Sequence, residues 1–212
     1  MEKRYIRIAT VMCGMILGTL LTACSSVPVL PTATLHPSKT VDIDSYRYLI
    51  GAGDSVNIFV WRHPEVSGTF VVRPDGMITT SLVEDIPVSG RTPTELARQI
   101  EEVLSTYLRE PVVTVTVSGF VGPFSEQIRV IGEAARPQAI NYKKNMTLLD
   151  VMIRVGGLTQ YADGNDAVLV RVENGQQKQY ELSIDSLLRD GEINANVDML
   201  PGDIIIIPEA WF

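Results

Sequence analysis

Two helix-start signals divide most of this chain into two halves of similar design. Thr92-Pro93-Thr94-Glu95 has the form of a capping box with proline at the first helical position, and Thr147 is followed by Asp150 at the third position. Each signal precedes apolar residues at helical spacing and lies among short runs typical of strands. One helix among several short strands, present twice, predicts an α+β fold with two small domains.

The first domain is predicted to span residues 46–118. The alternating residues Ser55–Trp61 predict a strand, and Arg73-Pro74-Asp75-Gly76 predicts a turn that joins residues 69–72 and 77–81 as a hairpin. Residues 112–117 should return as a strand beneath the helix. The apolar stripe of that helix should face the sheet through Leu96, Ile100, Val103, Leu104 and Tyr107.

The second domain is predicted to span residues 127–212, after a linker over residues 119–126. Strands are expected at residues 127–131 and 139–142, followed by a helix that ends at Gly156-Gly157. Asn174-Gly175 is typical of a tight hairpin turn between residues 167–173 and 177–182. The unbroken apolar run Ile204–Ile207 predicts a strand that is covered on both faces.

A Gly-Asp pair stands before an apolar strand in each half, as Gly53-Asp54 and as Gly202-Asp203. Two such aspartates could form a catalytic pair. A more common reason for this pattern is that the carboxylate binds nearby backbone N–H groups while the glycine adopts the turn. We therefore predict that these four residues form structural turns.

The N-terminus has the layout of a secretory signal, with Lys3, Arg4 and Arg7 before the apolar run 8–20. This run is shorter than the ~20 apolar residues of a membrane-spanning helix. Because it ends in Leu21-Thr22-Ala23-Cys24, the segment resembles a bacterial lipoprotein signal. The resemblance implies that residues 1–23 are a signal peptide and that Cys24 carries lipid.

Residues 24–45 are predicted to form a lipidated tether, since residues 25–40 are rich in Ser, Pro and Thr. Ser25 and Ser26 follow Cys24, where an aspartate would resemble the inner-membrane retention signal of enteric bacteria. By that resemblance, the lipid anchor should lie in the outer membrane and the protein should face the periplasm.

The mature chain is acidic and lacks a free thiol. Removal of residues 1–23 lowers Lys plus Arg from 18 to 15 and Asp plus Glu from 25 to 24, a net charge of about −9. Nucleic acid is an unsuitable partner for this charge, because it requires clustered cations. Cys13 lies in the signal and Cys24 would be acylated, so stability must come from packing rather than disulfides.

The sequence predicts neither an enzyme nor a bound metal or cofactor. The mature chain has only His36 and His63 as histidines, no free cysteine and no metal-ligand spacing. The adjacent acidic pairs Glu84-Asp85 and Glu101-Glu102 point in different directions on a strand or helix, unlike the converging carboxylates of glycosidases.

The motifs of both halves resemble one family of export proteins. Residues 48–54, Val60-Trp61, 72–76, 92–96 and 111–115 resemble the polysaccharide export domain of outer-membrane export lipoproteins. In the second half, the matching motifs are similar to a soluble-ligand-binding β-grasp domain; they lie at residues 130–133, 136–137, 145–151 and 156–158. The ending at residues 207–212 resembles export proteins of exosortase-associated (PEP-CTERM) exopolysaccharide loci.

This resemblance implies a homo-oligomeric ring, tethered to the outer membrane, through which an exopolysaccharide leaves the cell. It also implies an inner-membrane polysaccharide co-polymerase, a chain-length protein, as a partner. Small domains bury a modest share of their surface, so association between copies can supply stability. Long family members carry a C-terminal pore-lining helix, whereas this sequence stops after residues 204–207, so a separate outer-membrane pore protein is expected.

Alternatives remain open for the aromatic residues. Trp211 and Phe212 could dock a partner, lie at the membrane interface or fold back onto their own domain. A monomeric periplasmic glycan-binding lipoprotein is the rival function. The scattered positions of the aromatic residues that could bind its sugar favour ordinary packing instead. These candidates are Phe59, Trp61, Phe70, Tyr161 and Tyr180.

Overall fold

The structure is a computed structural model that describes residues 30–31, 33–40 and 42–211. The predicted signal peptide, the lipidation site Cys24 and the terminal Phe212 lie outside the described residues. Residues 35–212 form one compact unit. Within its described part, three α-helices and ten strands build two α+β halves, each with its own buried core, as the sequence predicts.

The first half is a three-stranded antiparallel sheet covered by one helix. Strand β1 (Ser55–Val60) lies between β2 (Gly68–Val71) and β5 (Val113–Ser118), and helix α1 (Pro93–Leu104) packs across β5. The predicted strand beneath the helix is thus confirmed. Tyr107 does not belong to the buried stripe, because α1 ends before it and its ring is mostly exposed.

The predicted hairpin around residues 73–76 is wrong. A turn does form there, since the Gly76 N–H donates to the Arg73 carbonyl at 2.9 Å. However, β2 pairs with β1, whereas β3 (Met77–Ile78) pairs with β4 (Ile86–Pro87) in a separate two-stranded sheet. The turn residues fixed the chain reversal, but packing on the central strand β1 decided which strands pair.

The second half is a mixed five-stranded sheet in the order β7-β6-β10-β8-β9. Numbered within this half, the order is 2-1-5-3-4 with the first and last strands parallel, which is the β-grasp arrangement. Helix α2 (Leu148–Val155) crosses one face, and α3 (Ile184–Leu188) follows the second hairpin. The strands are β6 (Gln127–Gly132), β7 (Gln138–Asn141), β8 (Ala167–Glu173), β9 (Gln176–Leu182) and β10 (Ile204–Ile207).

The local signals read from the sequence form as predicted. In the capping box of α1, the Thr92 N–H donates to Glu95 at 2.8 Å and the Glu95 N–H donates to the Thr92 hydroxyl at 3.2 Å. Gly156 ends α2 with a φ of 82°, and the hairpin turn has φ values of 52° at Asn174 and 76° at Gly175. These positions need positive φ angles, which explains the residue types found there.

Strand β10 differs from its prediction, because only one of its faces is covered. Ile205 and Ile207 are buried in the core beneath α2, whereas 38% of the Ile206 surface remains exposed and Ile204 is only half-buried. The apolar run is therefore longer than the core of a single chain requires.

Candidate functional site

Asp54 anchors the junction between the two halves. Its fully buried carboxylate accepts hydrogen bonds from the Gly51 N–H at 2.8 Å, the Tyr48 hydroxyl at 2.5 Å and the Val121 N–H at 2.6 Å. Burial and the bond to this carboxylate both raise the pKa of the Tyr48 hydroxyl. Since Val121 belongs to the predicted linker, the turn before β1 fixes the linker directly.

Two glycines let the linker approach this turn closely. A Cβ atom on Gly51 would lie 2.0 Å from the carbonyl carbon of Gly122, a separation that real atoms do not adopt. Gly53 completes the turn with a φ of 91°. Any residue larger than glycine at position 51 would therefore clash with the Gly122 backbone.

The second Gly-Asp turn contacts the same linker from the other half. The buried carboxylate of Asp203 accepts the Leu200 N–H at 2.7 Å and binds the Arg171 guanidinium through two contacts of 2.8 and 2.7 Å. Gly202 has a φ of 88°, and a Cβ atom there would lie 2.7 Å from the Ser125 carbonyl oxygen. Both predicted turns thus lie against residues 119–126, a relationship that the separate motifs did not reveal.

The end of the predicted tether is bound at this junction as well. Glu126 is buried and accepts hydrogen bonds from the Ser38 hydroxyl at 2.8 Å and the Lys39 N–H at 3.0 Å. Tyr46 packs edge-on against Tyr142 with ring centroids 5.0 Å apart, and burial together with the nearby Glu126 charge raises the pKa of Tyr46 to about 12. Ser38 and Lys39 of the predicted tether, and Tyr46 just after it, therefore contact the folded unit rather than extending away from it.

The outward face of the first sheet carries an aromatic pair. Phe59 and Trp61 are each about half exposed, and their ring centroids lie 6.4 Å apart in an edge-to-face arrangement. Val71 and Val112 are also exposed in the first half. The expectation that the aromatic residues are scattered is therefore wrong for this pair, because Trp61 directly follows β1 and its ring lies against that of Phe59.

The outward face of the second sheet carries an apolar row, which we define as Ile131, Ile206 and Val168. Ile206 lies beside Ile131 on one side and beside Val168 on the other, across three adjacent strands. Ile131 is 49% exposed. The row follows from the uncovered face of β10 and offers apolar surface to another molecule.

The indole of Trp211 is fully exposed. The neighbouring Ala210 N–H donates to the Tyr161 carbonyl at 2.8 Å, so the chain is held to the domain up to this point. Folding back of Trp211 onto its own domain, one of the three alternatives, is not seen. Phe212, its partner in the predicted docking site, lies outside the described residues.

The described residues contain no cluster of three or more His, Cys, Asp or Glu side chains suited to a metal ion. Glu101, from one of the adjacent acidic pairs, accepts the Val113 N–H at 2.9 Å and pairs with Arg98. Among these same residues, no helix is both long and apolar enough to cross a membrane.

Two family models match the chain, one on each half. The model for polysaccharide biosynthesis/export proteins matches residues 42–118, and the model for the SLBB domain matches residues 126–207. The chain belongs to the polysaccharide export family. Membership in this family agrees with the expectation of a transport role rather than a catalytic one.

Similar curated proteins have names that refer to polysaccharide export or production. The chain is 31% identical over 199 residues to the EPS I polysaccharide export outer membrane protein EpsA of Ralstonia solanacearum, which covers 80% of this chain and 51% of that protein. It is 24% identical over 180 residues to the capsule polysaccharide export protein BexD of Haemophilus influenzae, which covers 76% of this chain and 43% of that protein.

A third relative is the exopolysaccharide production protein ExoF of Rhizobium meliloti, 26% identical over 161 residues, 69% of this chain and 37% of that protein. The chain spans about half the length, or less, of these curated relatives. The name of EpsA places that protein at the outer membrane, the location that the sequence predicts for this family member.

Proposed function

We propose that this chain is a lipid-anchored subunit of an outer-membrane complex that faces the periplasm and conducts an exopolysaccharide out of the cell. The observation that carries the proposal is the order of the two matched domains on one compact unit, with the export domain at residues 42–118 and the SLBB domain at residues 126–207. The names of the relatives, all concerned with polysaccharide export or production, support the substrate class.

The junction suits a wall-forming subunit. Asp54 accepts a hydrogen bond from Val121 of the linker, and Gly202 lies against the Ser125 carbonyl of the same segment. Glu126, at the end of the linker, binds Ser38 and Lys39 of the tether. A conduit wall must keep its shape while a polymer moves past it. Two domains that are fixed to one linker meet this requirement better than two domains on a flexible connection.

The apolar row supports association between identical subunits. Ile131, Ile206 and Val168 leave apolar surface in water that a second copy would cover, with a gain of about 25 cal/mol per Å² buried. A head-to-tail contact of this kind closes into a ring when the rotation between copies is favourable. The inner-membrane co-polymerase and the separate outer-membrane pore protein remain predictions from the sequence.

The test of this function is made in the native host. Deleting the gene should stop the appearance of polymer outside the cell, and the wild-type chain should restore it. Cys24→Ser should abolish labelling by radioactive palmitate and reduce secretion, whereas Cys13→Ser should preserve both. Normal secretion in the deletion strain would reject the proposal.

The rival function, a monomeric glycan-binding lipoprotein, is favoured by one observation. Phe59 and Trp61 form an exposed aromatic pair of the kind on which sugar rings stack. The mass of the lipidated protein in detergent separates the two functions. A closed ring of many copies supports the conduit, and a strict monomer at every concentration supports the binding module.

A further inference from the structure

A cleft of about 420 Å³ lies beside helix α2 in the second half. Its lining comes from the loop between β7 and α2 and from the exposed side of that helix. The residues that matter for the argument are Lys143, Lys144, Asn145, Asp150, Ile153 and Arg154.

The cleft is cationic although the whole chain has a net charge of −7. Lys143, Lys144 and Arg154 face a single acidic side chain in the lining, Asp150. The Asp150 carboxylate is already engaged at the start of the helix, where it accepts the Thr147 N–H at 2.9 Å and the Thr147 hydroxyl at 2.8 Å. These bonds lower the pKa of Asp150, so it stays ionised, and the lining keeps an excess of two positive charges.

The three cations have no carboxylate partner of their own within the part of the chain that the structure describes. The Lys144 ammonium donates to the backbone carbonyl of Asp44, at 3.1 Å. Arg171, by contrast, is held by two bonds to Asp203. The cleft cations are therefore available to bind an anion from outside the chain.

The remaining lining indicates which anion fits. Ile153 is 69% exposed and supplies an apolar wall, and Asn145 supplies an amide that can both donate and accept hydrogen bonds. The volume is within the range of small-molecule sites, about 300–1,000 Å³. Cations, an apolar wall and an amide match a sugar ring that carries a carboxylate, hydroxyl groups and a C–H face.

We propose that this cleft binds a carboxylate-bearing sugar unit, such as a uronate, of the exported polysaccharide. The carboxylate would form charge-assisted hydrogen bonds with Lys143 and Arg154, while Ile153 contacts the C–H face of the ring. The proposal rests on the proposed function, and it adds that the polymer is anionic. It also assigns the polymer a contact in the SLBB domain, where the positive cleft offsets the repulsion expected from an acidic protein.

A polysaccharide unit fits this cleft better than an acidic segment of another protein. A specific protein interface covers about 800 Å² on each partner, with an apolar centre. The cleft is a recess with one exposed aliphatic residue and a charged rim, which matches a small polar ligand. Tighter binding of an acidic peptide than of a uronate would contradict this choice.

The test uses the full-length lipidated protein in detergent, with trigalacturonate as the probe and maltotriose as the neutral control, by isothermal titration calorimetry. Lys143→Gln with Arg154→Gln should weaken trigalacturonate binding about tenfold or more, because two charge-assisted bonds are lost. The matched variant, Arg62→Gln with Arg109→Gln, removes the same charge from exposed positions in the first half and should leave binding unchanged.

Three results would overturn the inference: no heat with trigalacturonate, equal weakening by both double variants, or tighter binding of a hexaglutamate peptide. Polymer secretion by the gene deletion strain is measured in parallel. If secretion stops on deletion while trigalacturonate fails to bind, the inference about the cleft fails and the proposed export function stands. Normal secretion by the deletion strain would reject the proposed export function itself.

Discussion

Asp54 accepts a hydrogen bond of 2.6 Å from the backbone N–H of Val121, a residue 67 positions later in the chain. Through this bond, the turn that starts the first sheet also holds the segment that leads into the second domain. Because the same carboxylate accepts bonds from Gly51 and Tyr48, one buried side chain coordinates three separate donors. The Asp54 carboxylate therefore connects the first domain directly to the linker.

Asp54→Ala should lower the free energy of unfolding by about 3 kcal/mol, because one buried and two partly buried donors lose their acceptor at about 1–3 kcal/mol each. Urea unfolding followed by far-ultraviolet circular dichroism measures the effect. Tyr48→Phe is the matched control, since it removes one donor and leaves the other two bonds in place, at a cost of about 1 kcal/mol. Equal effects of the two substitutions would show that neither the Gly51 bond nor the Val121 bond contributes to stability.

Gly202→Ala tests the close approach between the second turn and the linker. A Cβ atom at this position would lie 2.7 Å from the Ser125 carbonyl oxygen, and the φ of 88° adds strain for any L-residue. Gly175→Ala has similar strain at a φ of 76°, about 1–2 kcal/mol, but no atom within 4 Å of the new Cβ.

Gly202→Ala should therefore cost about 1–3 kcal/mol more than Gly175→Ala, the usual range for overpacking. Thermal unfolding of both variants under the same conditions gives the difference. The Gly202→Ala substitution should also increase the rate at which a protease cuts within residues 119–126, because the linker must move away from the new side chain. A Gly202→Ala variant as stable as Gly175→Ala would mean that the linker is not held by this contact.

The sequence predicted those features that depend on neighbouring residues. The capping box at Thr92 and Glu95, the helix end at Gly156 and the hairpin turn at Asn174-Gly175 all form as local chemistry requires. Such signals need only a few consecutive residues. The α+β class followed because each half repeats the same local signals.

Features that depend on contacts between distant residues could not be predicted from the sequence. The pairing of β2 with β1, rather than with β3, is decided by the packing of the whole first half. The convergence of both Gly-Asp turns on residues 119–126 likewise joins segments far apart in the chain. One signal could have indicated an uncovered face: β10 has four consecutive isoleucines, more than a strand with a single core-facing side requires.

Ile206→Glu tests the apolar row as an interface between copies. A charge at the centre of this row should dissociate the oligomer, because a buried carboxylate without a partner is strongly unfavourable. The isolated subunit should keep its melting temperature within a few degrees, since Ile206 is already 38% exposed. Mass photometry in detergent gives the number of copies.

The control is Ile193→Glu, which changes another exposed isoleucine, outside the apolar row, in the same way. It should leave the mass of the complex unchanged. If Ile206→Glu assembles like the wild type, the subunit interface lies elsewhere. If both variants dissociate, added negative charge alone explains the result, and the row has no special role.

Trp211 is a candidate for docking a partner. Its indole is fully exposed, although the chain just before it is bound to the Tyr161 carbonyl. Deletion of Trp211 and Phe212 should reduce polymer secretion several-fold while the melting temperature stays the same, because the residues that stabilise the fold are untouched. Secretion by the strain and thermal unfolding of the purified protein are both measured for this deletion.

Tyr107→Ala is the control, because it removes an exposed ring from the other half, and it should alter neither secretion nor the melting temperature. A lower melting temperature with secretion preserved would assign the terminal residues to the fold, since docking to a partner contributes nothing to the stability of the isolated chain.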